Sequence, residues 1–298
     1  RSYGVRSWPT LVVINPDGYV AGVVSGEGNY DLLDKVISAI ITEYDKDGKI
    51  DRTPLRLALE KNKAPETLLS YPGKVITNGL VGAEGRLFIS DSNNNRIVIT
   101  DLDGNVIEVI GGGDEGMQDG AFDNASFNKP QGMSLADNKL YIADTENHLI
   151  RMANLDSKTV ETIAGTGQQA RGRDNGGKAL ETPLNSPWDL LVVGSKIYIA
   201  MAGPHQIWAM DLKNNHIKPY AGSGHEGRLD GKLMDAQLAQ PSGITTDGKR
   251  LYIADSEASA IRAVDLDENG NVETIVGLDL FDFGDVDGMG REVRLQHP

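Results

Sequence analysis

The sequence predicts a mainly β protein, in which a β-propeller built from repeated four-stranded blades follows a short α/β segment. Two repeated markers predict the propeller. The first is a phrase of the form LYIADTENHLIR, whose copies begin at Leu87, Leu140, Ile197 and Leu251, with spacings of 53, 57 and 54 residues. The second is a proline at positions 72, 130, 187, 241 and 298, with spacings of 58, 57, 54 and 57 residues. Two markers in step over about 230 residues indicate an internal structural repeat.

One repeat period contains four short apolar segments separated by turn residues. From Gly132 these segments read GMSLA, LYIAD, LIRMANL and VETIAG, and the turns between them read DNK, TENH and DSKT. Alternating apolar residues with many β-branched types predict strands, and Asp and Asn mark the turns. A lone four-stranded sheet leaves two apolar faces in water, whereas radial stacking buries both. We therefore expect four complete blades and the start of a fifth, with each copy of the phrase LYIADTENHLIR forming the inner pair of strands of one blade.

The composition excludes several classes of function. The 298 residues have a formal net charge of −14 and contain no cysteine. The negative charge repels phosphate backbones, so no nucleic-acid partner is predicted, and the lack of cysteine excludes thiol chemistry within these residues. No apolar run approaches the ~20 residues that cross a bilayer, which predicts a soluble chain without membrane insertion. Both ends fall inside motifs, so we expect a piece of a longer protein.

The phrase ADTENHLIR, with PQG or PSG before it, resembles the NHL repeat from Tyr71 to the end of the chain. The resemblance implies that the aspartate after the second strand occupies a tight turn, at Asp91, Asp144 and Asp255. It also implies that an aligned isoleucine points into the blade stack, at Ile97, Ile150, Ile207 and Ile261. The third blade departs from the pattern, because Met201 replaces the aspartate and Trp208 replaces the arginine found at Arg151 and Arg262.

The connections between blades are long and share a pattern that begins with aspartate, at Asp119, Asp174, Asp230 and Asp287. Most loops in compact domains have ~4–6 residues, so connections of this length pack deliberately or serve binding. Their apolar residues favour packing against the propeller rim, and the alternative is contact with a partner. The candidate contact residues are Asp119, Phe122, Phe127, Trp188, Trp208, Asp230 and Asp287.

The segment before Asp45 has a different pattern. It reads as a strand Leu11–Asn15, a turn, a strand around Tyr19–Ser25 and an amphipathic helix near Tyr30–Tyr44. Together with the preceding GVRSWPT, this order resembles the C-terminal half of a thioredoxin-like domain. The resemblance implies a cis Pro9 beside redox cysteines upstream of Arg1, with a substrate groove lined by Trp8, Pro9 and Thr10. The predicted divisions are residues 1–44 for this half domain, 45–70 for a linker and 71–298 for the propeller.

A thioredoxin-like segment followed by NHL blades resembles the NHL-repeat-containing protein 2 family, which includes the chloroplast suppressor-of-quenching proteins. This resemblance implies six blades in the parent protein and thiol–disulfide oxidoreductase activity outside these residues. It leaves the location open between the cytoplasm and, for a plant-type member, the chloroplast lumen. The leading functional prediction is a protein-interaction scaffold whose propeller serves the thioredoxin-like module.

Two alternatives stand beside that prediction. One is a propeller enzyme of the metal-dependent lyase or lactonase type, and the other is an RNA-binding NHL propeller, against which the acidic charge argues. No catalytic set, cofactor or metal site is predicted here. His148 and His205 share one turn position, but Asn95 and Ser259 hold it in the other blades. The acidic loops favour an unidentified protein partner of basic character.

Overall fold

The computed structural model describes residues 10–25, 29–53, 67–78, 85–172, 175–280 and 282–298. The chain forms two compact units, Arg1–Glu66 and Thr67–Pro298. The division between them lies inside the segment 45–70 that the sequence indicates as a linker.

The first unit contains a β-hairpin and one helix. Strands β1 (Thr10–Ile14) and β2 (Val20–Ser25) pair antiparallel, and helix α1 spans Tyr30–Lys46. The hydroxyl of Tyr44 accepts a hydrogen bond from Asn15 Nδ2 and donates one to Asp17, each at 2.9 Å, which holds the helix end against the hairpin turn. Thr10 opens β1, whereas Trp8 and Pro9 lie outside the described residues. These elements have the predicted order, and their likeness to thioredoxin stays a prediction.

The described residues of the second unit form four antiparallel sheets, each of which is one blade. Blade 1 contains β3 (Val75–Thr77), β4 (Arg86–Asp91), β5 (Arg96–Asp101) and β6 (Val106–Ile110). Blade 2 contains β7 (Gly120–Ala121), β8 (Pro130–Ala136), β9 (Lys139–Asp144), β10 (Leu149–Asn154) and β11 (Thr159–Ala164). Blade 3 contains β12 (Gly177–Lys178), β13 (Pro187–Val193), β14 (Lys196–Met201), β15 (Gln206–Asp211) and β16 (His216–Ala221). Blade 4 contains β17 (Gly231–Lys232), β18 (Pro241–Thr246), β19 (Arg250–Asp255), β20 (Ala260–Asp265) and β21 (Asn271–Val276).

The order of strands within a blade corrects two details of the prediction. In blade 2 the order is β8, β9, β10, β11 and β7, and the inner strand β8 packs beside the inner strand β13 of blade 3. The repeated phrase LYIADTENHLIR therefore forms the second and third strands of its blade, whereas the inner pair of blade 2 consists of β8 and β9. Blades 2 to 4 also have a short fifth strand, because the connection entering each blade runs along its outer strand, as Gly120 does opposite Val160.

The hydrophobic core lies between the blades. Apolar clusters join blade 1 to blade 2, blade 2 to blade 3, and blade 3 to blade 4. Of the isoleucines expected to point into the stack, Ile97, Ile150 and Ile207 are fully buried, whereas Ile261 is half-buried because no described blade covers that face of blade 4. Connection residues also enter this core, and those that are buried are Phe122, Phe127, Leu184, Leu233 and Leu238.

Successive blades are joined at one end of the propeller, which we call the proline face. It comprises the residues around the prolines that open the inner strands and the turns 92–95, 145–148, 202–205 and 256–259. In blade 2, Thr145 Oγ1 donates to the carbonyl of Pro187 at 2.7 Å. The same bond joins Ser92 to Pro130 and Ser256 to Pro298, whereas the equivalent residue of blade 3 is Ala202. Pro298 therefore has the place of a proline that opens an inner strand.

We predict that Thr145→Val lowers the free energy of unfolding by about 1–3 kcal/mol, because the buried carbonyl of Pro187 loses its donor while the side-chain shape is kept. Chemical denaturation measures the loss. The matched control is Thr245→Val on the exposed side of β18, for which we expect a change within about 0.5 kcal/mol. Equal effects of the two substitutions would contradict a role for the bond between blades.

Candidate functional site

Each turn aspartate binds its blade to the connection that enters it. Asp144 Oδ1 accepts from the Asn128 amide at 2.8 Å, and Asp144 Oδ2 accepts from Arg151 Nη1 at 2.9 Å. The guanidinium of Arg151 is fully buried and also donates from Nη2 to Asp119 at 2.8 Å. Blade 4 repeats this arrangement with Asp255, Arg262 and Asp230. In blade 1, Asp91 accepts from the Ser70 amide and from Arg96, which stands two residues earlier in the strand than the arginines of blades 2 and 4.

Burial dominates the electrostatics of these carboxylates. It raises the pKa of Asp144 and of Asp255 to about 6, although the hydrogen bonds and the neighbouring arginine act in the opposite direction. Arg151 also lies over the ring of Phe127, with 5.1 Å from the guanidinium carbon to the ring centre. Both oxygens of Asp144 have donors, so its carboxylate is not free to bind a ligand and serves to close the blade.

Blade 3 replaces the whole cluster with apolar residues. Met201, Trp208 and Gly176 stand at the places of the turn aspartate, the arginine and the connection aspartate. Trp208 is only 2% exposed, and its indole Nε1 donates to Gln206 at 3.0 Å. Gly176 has a φ of +82°, and a Cβ there would collide with the carbonyl of Ile217. The three replacements occur together because a buried arginine without its two carboxylates would be an uncompensated charge.

A second ion pair lies where the inner strands meet. Asp189 is 3% exposed and accepts from Lys74 Nζ and from the Ile244 amide, the latter at 3.0 Å. One aligned position lies two residues after the proline of each blade. From blade 1 to blade 4 it is occupied by Lys74, Gly132, Asp189 and Gly243. A Cβ at Gly132 would collide with Asp189, so glycine in blade 2 leaves room for a lysine of blade 1 to reach blade 3. Burial raises the pKa of Asp189, and Lys74 counteracts that rise.

This central pair was not anticipated from the sequence. Its signal is the alternation of a lysine, a glycine, an aspartate and a glycine at one aligned position. This pattern predicts an ion pair only once the inner strands are known to converge, because Lys74 and Asp189 are 115 residues apart in the sequence.

The candidate contact residues fall into three groups. Phe122, Phe127 and Trp208 are buried and fill the core between blades, so contact of these three side chains with a partner stays a prediction that their burial does not favour. Asp119 and Asp230 are each 47% exposed but hold the buried arginines. Asp287 and Trp188 remain exposed, and Trp188 lies on the proline face directly before Asp189.

Neither histidine at the shared turn position takes part in a metal cluster. Nδ1 of His148 accepts from the Ser186 amide, and Nδ1 of His205 accepts from the Gln240 amide. Among the residues that the structure describes, no group of three His, Cys, Asp or Glu side chains is placed to hold a metal ion. Within the same residues, none of the helices has the length and apolar character to span a membrane.

Comparison with known proteins agrees with this architecture. The NHL repeat family model matches residues 127–151, which run from Phe127 through the turn of blade 2 to Arg151. Protein SUPPRESSOR OF QUENCHING 1, chloroplastic, from Arabidopsis thaliana is 45% identical over 100% of the chain, and NHL repeat-containing protein 2 from Gallus gallus is 38% identical over 99% of it. The chain is a homologue of these NHL-repeat proteins. It spans 30% of the first protein and 44% of the second.

A solved structure resembles the NHL-repeat chain in fold alone. It is that of an auxiliary nutrient binding protein from Bacteroides ovatus, with a TM-score of 0.54 and 17% sequence identity. The match covers 78% of this chain and 54% of the other.

We predict that Arg151→Met lowers the free energy of unfolding by about 3–5 kcal/mol, because Asp144 is left buried without its cation. Adding Asp144→Leu to this variant should recover part of the loss, as the apolar residues of blade 3 suggest. Denaturation of Arg151→Met, Asp144→Leu and the double variant, read as a double-mutant cycle, measures the recovery. A double variant that loses the sum of both single effects would contradict the coupling.

We also predict that Lys74→Met lowers the free energy of unfolding by about 3 kcal/mol at pH 7. Removal of one partner of a buried ion pair costs about 3–5 kcal/mol, and we expect the lower value because the ammonium group of Lys74 is partly exposed. The loss should shrink as the pH falls to 5. Without Lys74 the raised pKa of Asp189 rises further, so the folded state takes up a proton that the unfolded state does not. Denaturation at both pH values measures this, with the exposed Lys158→Met as control. A loss that is the same at both pH values would contradict the role of Asp189.

Proposed function

We propose that the propeller is a protein-interaction scaffold that presents its proline face to a partner protein. The observation that carries the proposal is Trp188, a large side chain that is 40% exposed on a firmly held backbone. The Ser186 amide two residues earlier is bound by His148, and Asp189 directly after it is held by Lys74 and Ile244. Tryptophan is enriched among the residues that dominate binding energy, and a rigid support lowers the entropy lost on binding.

We further propose that this scaffold serves a thioredoxin-like thiol–disulfide module in the parent protein. The described residues between 10 and 53 include no buried residue, and apolar side chains on both the hairpin and α1 are exposed, such as Leu11, Val23, Ile37 and Ile41. A hairpin and one helix bury too little surface to fold alone, which favours completion by further chain. The relatives are more than twice as long as the matched region, so they have room for such a module.

The proposed partner is basic, because the chain carries a net charge of −14 and the connections expose acidic residues such as Asp114, Glu115 and Glu226. The Arabidopsis thaliana relative is named as a chloroplastic protein, and we extend that location to this chain as part of the proposal.

We predict that a photo-crosslinking amino acid at position 188 of the full-length protein forms a discrete adduct with a partner in native extract. The matched control is position 102, because Leu102 is 47% exposed and lies in a turn at the opposite end of blade 1. Once the adduct is identified, Trp188→Ala should weaken binding by about tenfold or more, as expected for a central tryptophan. Equal crosslinking from both positions would contradict the proline face as the contact surface.

The redox part is tested separately by reduction of a small model disulfide by the full-length protein. Replacement of upstream cysteines should abolish this activity, whereas Trp188→Ala should leave it unchanged and slow only the reaction with the crosslinked partner. Activity that survives loss of those cysteines would contradict the thioredoxin-like module.

A further inference from the structure

Two histidines occupy equivalent places at the two edges of blade 3. The Ser186 amide donates to His148 Nδ1 at 3.1 Å, which joins blade 2 to blade 3, and the Gln240 amide donates to His205 Nδ1 at 3.2 Å, which joins blade 3 to blade 4. A backbone N–H is only a donor, so each Nδ1 must carry a free lone pair. Both bonds therefore require a neutral imidazole, and a proton on Nδ1 would remove the acceptor.

Blade 1 makes the same bond without a titratable group. Its turn residue Asn95 accepts the Lys129 amide on Oδ1 at 3.0 Å. Asn95, His148 and His205 all adopt left-handed backbone conformations, with φ of 50°, 54° and 55°. Asparagine is the residue other than glycine that adopts this conformation most readily. The chain thus contains its own pH-insensitive version of the contact.

Blade 3 lacks two polar contacts that the other described blades make, although its Asp189 accepts the Ile244 amide of blade 4. Ala202 stands where Ser92, Thr145 and Ser256 donate to the next proline carbonyl, so blade 3 makes no such bond to Pro241. The Arg–Asp cluster of blades 2 and 4 is also replaced in blade 3. Of the polar contacts that recur between blades on the proline face, the contact of His205 with Gln240 is the one that blade 3 keeps with blade 4.

The donor residues give these bonds a second consequence. Ser186 and Gln240 each precede a proline and have positive φ values of 51° and 55°. The left-handed conformation costs roughly 1–2 kcal/mol for a residue with a Cβ, so the bond to the histidine helps to hold it. Loss of the bond would release the loop 186–188, which carries Trp188.

Several charged groups face the histidines. Glu226 and Glu257 face His205, and Glu257 also lies 3.6 Å from His297, whereas Glu146 faces His148. These carboxylates favour the protonated imidazole, but burial outweighs them and lowers the pKa of both His148 and His205. The bonds are therefore intact at neutral pH. The stability that they contribute is complete above the unfolded-state pKa of about 6.5. It decreases below that pH, because the unfolded chain then binds more protons than the folded one, and the bonds break as the pH falls through the lower pKa of the folded state.

We propose that His148 and His205 form an acid-sensitive joint, in which protonation releases the Ser186 and Gln240 amides and loosens both edges of blade 3. The presentation of Trp188 to a partner is thereby regulated by pH. This last step rests on the proposed function, whereas the loosening itself does not.

The test compares the full-length protein with its His148→Asn/His205→Asn variant by hydrogen exchange and mass spectrometry at pH 7.5 and pH 5.0. Protection is corrected for the intrinsic exchange rate at each pH. In the unmodified protein, peptides containing Ser186 and Gln240 should lose protection on the order of tenfold at pH 5.0, the equivalent of one net hydrogen bond. The peptide containing Lys129, bound by Asn95, should keep its protection.

The double variant should lose less protection at pH 5.0 than the unmodified protein in the peptides containing Ser186 and Gln240, whereas the peptide containing Lys129 should respond alike in both proteins. Asp144 and Asp255 titrate in the same range, but they are present in both proteins, so the difference isolates the histidines. Equal loss of protection in the two proteins, or no loss in the unmodified protein, would overturn the joint. If the variant does not fold, 15N spectra of the unmodified protein report the protonation state of Nδ1 in His148 and His205. A protonated Nδ1 at pH 7.5 on either residue would overturn the proposed joint.

Crosslinking from position 188 separates the joint from the proposed function. A yield that falls at pH 5.0 in the unmodified protein but not in the variant supports regulation of the contact surface. If the histidine-dependent loss of protection is observed but no adduct forms from position 188, the acid-sensitive joint is supported. The proposed contact surface and its regulation by pH are then overturned.

Discussion

The structure depends on one constraint, which is that a four-stranded sheet with two apolar faces must be covered on both sides. Each blade meets the constraint through its neighbours, so the hydrophobic core lies between blades and not inside any one of them. The stability of a blade is therefore inseparable from its contacts, as in other repeat proteins. Ile261 on blade 4 is only half-buried because no described blade covers that face, whereas the three isoleucines aligned with it are fully buried.

Burial of the faces leaves polar groups to fix how the blades are placed. Two kinds of buried contact do this, and they differ in range. The contact of Asp144 with Arg151 is local, since it ties a blade to the connection entering it, whereas Lys74 with Asp189 spans the inner strands of blades 1 to 3. Removing a charge from the interior costs little when its partner leaves too. This explains how blade 3 replaces its whole cluster with Met201, Trp208 and Gly176 and still buries the two large side chains.

Local patterns account for the parts of the fold that could be predicted from the sequence. Alternating residues and turn aspartates act within one strand or hairpin, so the strands of each blade, the buried Ile150 and the hairpin before α1 were expected. The inner position of the strand opened by Pro130 depends on contacts between blades, which strand patterns do not encode. The burial of Trp208 was missed for the same reason, because its cover comes from blade 2. Of the candidate site, Trp188 was named from the sequence, but the support beneath it was not.

The proposed contact surface lies where the repeat departs from its own pattern. A strict repeat would give each blade the same turn, the same cluster and the same proline loop, and its faces would be nearly equivalent. Blade 3 differs in all three respects, and its proline loop alone carries a tryptophan. It is also bordered by histidines where blade 1 uses Asn95, although an asparagine would satisfy the same amide at any pH. Packing alone gives no reason for that exchange, whereas a contact surface that must respond to its surroundings does.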